Sequence, residues 1–101
     1  ELNNNNFYNV VGKDKFVFVK FYTKWCRFCR IMSPEFEKLI ENNKRSDIII
    51  ARLEGSINQK IAEDYGISGF PALVLYEPES TDFYSIYNGD RTFIAMNNFL
   101  E

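Results

Sequence analysis

The stretch FVFVKFYTKWCRFC, from Phe16 to Cys29, joins a run of apolar residues to two closely spaced cysteines. Near-continuous apolar runs are typical of a strand buried on both faces, so we predict a central strand over Phe16 to Tyr22. Two cysteines separated by two residues can close a small ring with little backbone movement. The stretch therefore predicts a buried strand followed by a redox-active thiol pair.

A helix is predicted from Cys26 onward, because Met32, Phe36 and Leu39 recur at helical spacing. The free N–H groups and the positive dipole end of such a helix favour a thiolate at Cys26, and the thiolate is the attacking form. Cys29 then lies within reach of a mixed disulfide on Cys26. We therefore assign Cys26 as the nucleophile and Cys29 as the resolving thiol.

The rest of the chain alternates strands and helices until a closing hairpin. A short β-branched run is predicted to form a strand over residues 48–51, and a capping box at Ser56 to Gln59 opens a helix with Ile57 on its inner face. Two strands over 72–76 and 83–87 form the hairpin, and a last helix covers 92–100. The pattern predicts an α/β fold with a mixed sheet covered on both faces.

The composition indicates one compact domain over residues 1–101, since the chain has 46% hydrophobic residues and a net charge of −2. The charge argues against nucleic-acid binding, and no basic run or basic amphipathic stretch suggests contact with a membrane surface. With no histidine and two cysteines, histidine catalysis is excluded and a zinc ion would lack ligands. We expect redox chemistry without a metal or organic cofactor. No leader precedes Glu1, so we expect either a processed form or a domain excised from a longer protein, and favour the excised domain.

Several motifs together resemble a known family. They are Phe21-Tyr22, Trp25-Cys26-x-x-Cys29, Pro34, and Tyr65-Gly66-Ile67-Ser68-Gly69-Phe70-Pro71 before a strand. Over its whole length the chain resembles a thioredoxin-fold domain of the protein disulfide isomerase family. The resemblance implies a thioredoxin fold, with a mixed central sheet of four to five strands flanked by helices on both faces.

The resemblance also implies a substrate-binding role for the segment Gly69-Phe70-Pro71. In the family, the proline is cis and packs against the thiols, while the two preceding residues present a backbone edge to a bound peptide. The alternative is that Pro71 only starts a strand. Trp25 precedes the reactive turn, so we interpret it as a partly exposed platform beside the sulfur rather than as a core aromatic residue.

Arg27 and Phe28, between the two cysteines, are the next candidate substrate-binding residues. Arg27 either favours the thiolate of Cys26 or is a solvated charge with no effect. Phe28 replaces the histidine usual in isomerase domains and offers an apolar surface to a substrate. The pair resembles a client-retaining endoplasmic-reticulum member whose site reads Trp-Cys-Arg-Phe-Ser. Cys29 stands in place of that serine, which favours turnover over trapping.

Lys20 departs from the family pattern, because members carry a buried acid at this position that often pairs with a lysine on the next strand. Here the pair is Lys20 and Arg52, and two buried cations need anions, solvent contact or, for Lys20, a neutral amine. Glu54 is the candidate anion. Lys20 either extends into solvent past the strand or acts on Cys29. Arg91 matches a family arginine that promotes ionisation of the resolving thiol, or is a surface charge at a helix start.

The resemblance implies a thiol–disulfide oxidoreductase or isomerase that acts on cysteines of protein or peptide substrates. Glutathione or a partner oxidase would recharge the pair, and the domain would work as a monomer in the endoplasmic reticulum lumen. One alternative is a client-retention module with little turnover. Another alternative is a cytosolic thioredoxin-type reductase. The dipeptide Arg27-Phe28 between the cysteines argues against it, because that class has Gly-Pro there.

Overall fold

The computed structural model describes all residues from Glu1 to Glu101. The elements, in chain order, are α1 (Phe7–Val10), β1 (Phe16–Tyr22), α2 (Arg27–Asn42), β2 (Ile48–Glu54), α3 (Gln59–Asp64), β3 (Ala72–Tyr76), β4 (Tyr84–Tyr87) and α4 (Phe93–Leu100). None of the helices combines the length and the apolar character needed to cross a membrane.

The sheet has four strands in the order β2-β1-β3-β4. β1 pairs with β2 in parallel and with β3 antiparallel, and β3 pairs antiparallel with β4. An isolated parallel bridge between Leu2 and Leu53 extends the pairing beyond β2. The prediction of a mixed sheet of four to five strands is therefore confirmed, and the apolar run of β1 lies inside the sheet because strands flank it on both sides.

Alternate residues of β1 enter two separate apolar layers, as the period of two in a strand requires. One layer is built around Val17, Val19 and Phe21 with residues of α1 and α3. The other contains Phe18 with residues of α2 and α4. This arrangement confirms helices on both faces of the sheet, and it places Lys20, which alternates with Phe21, on the α2 side.

The start of α4 is fixed by two side-chain contacts. The Thr92 hydroxyl accepts a hydrogen bond from the Ala95 N–H at 3.2 Å. The Glu35 carboxylate of α2 accepts from the Phe93 N–H at 2.9 Å, which also lowers the pKa of Glu35. Because both oxygens satisfy N–H groups that have no partner within the helix, they anchor α4 against α2.

The segment between β2 and α3 differs from the prediction. α3 begins at Gln59 with Asn58 as its N-cap, and Ile57 is 71% exposed rather than on the inner face. The predicted capping box is wrong because the Ser56 hydroxyl donates to the Glu54 carboxylate at 2.8 Å and is not available to the helix. The last strand also begins one residue later than predicted, at Tyr84.

Candidate active site

Cys26 and Cys29 form a disulfide at the N-terminus of α2, with their Cα atoms 5.2 Å apart. Cys26 is the N-cap residue, and its Sγ accepts a hydrogen bond from the Cys29 N–H at 3.1 Å. Both side chains are buried, Cys26 at 8% exposure and Cys29 at 3%. In the reduced protein the same N–H and the positive end of the α2 dipole favour a thiolate on Cys26.

The loop before β3 lies directly against the disulfide. The Phe70–Pro71 peptide bond is cis, as the resemblance implied, and the Phe70 carbonyl oxygen lies 3.5 Å from the Cys26 Sγ. Gly69 is exposed beside it. The Phe70 ring packs so closely on Gly55 that a Cβ at residue 55 would collide with ring carbons Cε1 and Cζ. Gly55 therefore allows the ring to lie where it does.

The aromatic residues around the disulfide are exposed on its rim. Trp25 is 71% exposed and Phe28 is 60% exposed, which places neither of them in the core. Trp25 and Phe70 line the same groove, which has a volume of about 280 Å³. Arg27 is exposed and forms no ion pair. The disulfide is thus bordered by apolar surface on the Trp25 side and by a free cation at Arg27.

Lys20 is buried, with an exposure of 3%, so it does not extend past the strand into solvent. Its Nζ lies 3.4 Å from the Ser33 Oγ and 4.9 Å from the centre of the Phe36 ring. Arg52 lies beside it in the register of β1 and β2. Burial, and next the positive charge of Arg52, lower the pKa of Lys20, so its neutral amine forms more easily than that of an exposed lysine.

The anion that pairs with Arg52 is Glu37 of α2, at 2.6 Å. The expectation that Glu54 would fill this role is wrong. The Glu54 carboxylate instead accepts hydrogen bonds from the Ser56 N–H at 2.6 Å and from its hydroxyl. Glu54 is the last residue of β2, and its carboxylate binds the turn that follows the strand. The carboxylate that pairs with Arg52 comes from α2 instead.

A cavity of about 230 Å³ lies on the α2 side of the disulfide, and we call it the Cys29 cavity. Its lining comprises Lys20, Tyr22, Thr23, Lys24, Cys29, Arg30, Ser33 and Arg52. Sequence reasoning missed Thr23, Lys24, Arg30 and Ser33 as site residues. Ser33 carried a signal, because it lies four residues after Cys29 on the same helix face.

Arg91 is placed elsewhere. It is exposed in the loop before α4 and lines a separate depression of about 180 Å³ with Pro71 and Ala72. The structure therefore brings Lys20 together with Cys29 in one cavity, and brings Arg91 together with Pro71 in another.

A disulfide at the start of the helix that follows the central strand, facing a cis-proline loop, defines a thiol–disulfide exchange site on a thioredoxin fold. The family model described as Thioredoxin matches residues 1–101, and the chain belongs to that family. The predicted thioredoxin fold and the predicted family resemblance are both confirmed.

The relatives with similar sequences carry the name disulfide isomerase. The chain is 31% identical over 100 residues to the probable protein disulfide-isomerase A6 of Medicago sativa, covering 98% of this chain and 27% of that protein. It is 32% identical over 82 residues to the protein disulfide-isomerase of Drosophila melanogaster, covering 79% of this chain and 16% of that one. The structure of human ERp44 superposes with a TM-score of 0.87 at 26% identity, covering 98% of this chain and 30% of that chain. The chain thus spans less than a third of each.

Proposed function

We propose that this domain is a thiol–disulfide oxidoreductase of the disulfide isomerase type that acts on cysteines of protein substrates. The observation that carries the proposal is the position of the Cys26 Sγ. It accepts the Cys29 N–H at 3.1 Å at a helix N-terminus and lies 3.5 Å from the Phe70 carbonyl oxygen. This position stabilises a thiolate beside a backbone edge at which a substrate can bind.

The exchange proceeds through a mixed disulfide in either direction. In isomerisation or reduction, the Cys26 thiolate attacks a substrate disulfide, forms a bond to one sulfur and releases the other as a thiolate. In reduction, the Cys29 thiolate then attacks the Cys26 sulfur, which forms the Cys26–Cys29 disulfide and releases the substrate thiolate. In isomerisation, another substrate thiolate attacks the substrate sulfur of the mixed disulfide, which forms a rearranged substrate disulfide and releases the Cys26 thiolate. In oxidation, a substrate thiolate attacks Cys26, Cys29 leaves as a thiolate, and a second substrate thiolate displaces Cys26.

Substrate binding is assigned to the surface around Cys26. The backbone of Gly69 and Phe70 presents the edge that receives an extended peptide, next to Pro71. Trp25 and the Phe70 ring line an apolar groove of about 280 Å³ beside this edge. Arg27 and Phe28 lie between the two cysteines in the first turn of α2, and both are exposed to a substrate.

Lys20 acts on the resolving step in this proposal. Its charged form favours the Cys29 thiolate, and its lowered pKa gives access to a neutral amine that can accept the Cys29 proton. We expect Lys20→Glu to change the lifetime of a mixed disulfide on Cys26. An unchanged lifetime would exclude a role of Lys20 in the resolving step. Arg91→Gln in the same assay tests Arg91, which lines a different depression from Cys29.

The remaining assignments are proposed by analogy with disulfide isomerases. We propose that the domain is part of a longer protein, because it spans 27% of the Medicago sativa relative. We also propose the endoplasmic reticulum lumen as its location, glutathione or a partner oxidase as the agent that recharges the thiols, and a monomeric domain. Expression of the full-length protein with fractionation and a glycosylation reporter tests the location.

Insulin reduction and refolding of a scrambled disulfide protein test the activity. We expect turnover by the parent domain, loss of turnover in Cys26→Ser, and accumulation of substrate adducts on Cys26 in Cys29→Ser. A client-retention module, favoured by exposed Arg27 and Phe28, predicts stable adducts and negligible turnover even with Cys29 intact. The reduction potential against glutathione separates an isomerase near roughly −180 mV from a thioredoxin-type reductase near roughly −270 mV.

A further inference from the structure

The Cys29 cavity has an unusual charge. Its lining includes the cations Lys20, Lys24, Arg30 and Arg52, and it includes no aspartate or glutamate. Of these four, only Arg52 takes part in an ion pair, with Glu37 outside the lining. The cavity therefore concentrates positive charge that the protein neutralises only in part, which is the electrostatic pattern of an anion site.

The two most buried polar groups of the lining also lack adequate partners. The Lys20 ammonium has three donors and one protein acceptor, the Ser33 hydroxyl, at the long distance of 3.4 Å. The Thr23 residue is 1% exposed, and its hydroxyl has no protein hydrogen-bond partner. Buried polar groups are normally hydrogen-bonded, and exceptions require an explanation. Both residues line one cavity, and an anion bound there would give the Lys20 ammonium the acceptors that it lacks.

We propose that the Cys29 cavity binds a small oxyanion of the phosphate or sulfate class. Its volume of about 230 Å³ admits such a group. The ligand would accept hydrogen bonds from the Lys20 ammonium, while the exposed side chains of Lys24 and Arg30 border it on the solvent side. A planar guanidinium such as that of Arg30 or Arg52 can bind two oxyanion oxygens at once.

An oxyanion bound in the Cys29 cavity would affect the redox pair, and this effect rests on the function proposed above. A negative charge beside Cys29 disfavours its thiolate and also neutralises the Lys20 cation. Because the Cys29 thiolate is the group that attacks the mixed disulfide, a bound oxyanion should slow release of the substrate. The cavity would then set how long a substrate stays attached to Cys26.

Binding is tested directly by an NMR titration of the 101-residue chain with inorganic phosphate, sulfate, acetate and chloride at constant ionic strength. We expect saturable shifts of the Cys29 and Thr23 amides with phosphate and sulfate. Arg30→Gln, a surface change that leaves the core intact, should weaken binding roughly tenfold, and Lys20→Met at least as much, since each removes a charge-assisted hydrogen bond. Lys60→Gln, a matched loss of charge on α3, should bind as the parent does.

Shifts that never saturate, or equal affinity in the parent and Arg30→Gln, would overturn the site. Acetate binding as tightly as phosphate would overturn the oxyanion class in favour of a carboxylate. The lifetime of a mixed disulfide on Cys26 is measured separately, with and without phosphate, and should lengthen with phosphate in the parent but not in Arg30→Gln. If phosphate binds but no mixed disulfide forms at all, the redox function fails and the oxyanion site stands.

Discussion

Replacement of Lys20 by methionine should stabilise the domain. The Lys20 side chain is 3% exposed, and no carboxylate pairs with it. Its compensation consists of the Ser33 hydroxyl at 3.4 Å and the faces of Phe36 and Tyr22 at 4.9 and 5.3 Å from the Nζ. The carboxylates of Glu37 and Glu1 also attract the ammonium from beyond salt-bridge distance. Methionine has a similar length and is flexible enough to fill the same space between β1 and α2.

The magnitude follows from the balance of these effects. A buried charge costs several kcal/mol, while two cation–π contacts return about 0.5–2 kcal/mol each. We therefore expect Lys20→Met to raise the free energy of unfolding by about 1–3 kcal/mol. The melting temperature should rise by about 4–8 °C for each kcal/mol in a domain of this size.

Urea unfolding of the oxidised protein, followed by circular dichroism in a buffer free of phosphate and sulfate, measures the effect. Lys38→Met on α2 is the matched control, because Lys38 has an exposed side chain (58%) and its replacement should change stability by less than about 0.5 kcal/mol. A Lys20→Met protein less stable than the parent by more than about 1 kcal/mol would refute the reasoning, since it would mean that the buried ammonium is well compensated.

The pH dependence is an independent check of the same prediction. Burial lowers the pKa of Lys20 below its ordinary value of 10.5, so the folded protein loses this proton at a lower pH than the unfolded chain does. The destabilising effect of Lys20 is therefore complete below the folded pKa and disappears as the pH rises to 10.5. The advantage of Lys20→Met over the parent should shrink across that interval, and a constant advantage would contradict the buried charge as its cause.

Three further predictions concern other parts of the molecule. Gly55→Ala should displace the Phe70 ring, because the new Cβ collides with it. The variant should reduce insulin more slowly and lose about 1–3 kcal/mol of unfolding free energy in urea. An unchanged rate and an unchanged stability would contradict the packing. Thr92→Ala should cost about 1 kcal/mol by loss of the α4 cap, with Thr92→Ser near the parent as control. Burial raises the pKa of Tyr22 and of Tyr65 from the ordinary value of 10.0 to about 12, so the unfolded state releases these protons first. Stability should therefore fall between pH 10 and 12, less steeply in Tyr65→Phe, and a flat profile would exclude this linkage.

The elements that position the redox pair could be predicted from the sequence because their signals are local. The apolar run Phe16–Tyr22 matches β1 at both ends, and the helix predicted from Cys26 begins with Cys26 as its N-cap. The exposed position of Trp25 followed from its place before a reactive turn. In each case the residues that decide the structure are neighbours in the chain.

The charges around Cys29 could not be predicted in the same way, because their partners depend on how α2 crosses the sheet. Arg52 pairs with Glu37 of α2 rather than with Glu54 two residues away on its own strand. Successive residues of a strand alternate between faces, so residues 52 and 54 share a face, yet the Glu54 carboxylate is held by Ser56. Such choices between nearby anions are made by tertiary packing and are not visible in sequence spacing.

The central claim is that Cys26 is the attacking thiol and Cys29 the resolving one. The most direct test is the rate at which each cysteine of the fully reduced protein is alkylated, followed by peptide mass mapping as a function of pH. We predict that Cys26 is alkylated first, with a midpoint below the value of about 8.5 for a free cysteine, while Cys29 reacts slowly. Faster alkylation of Cys29, or a Cys26 midpoint at or above about 8.5, would contradict the account.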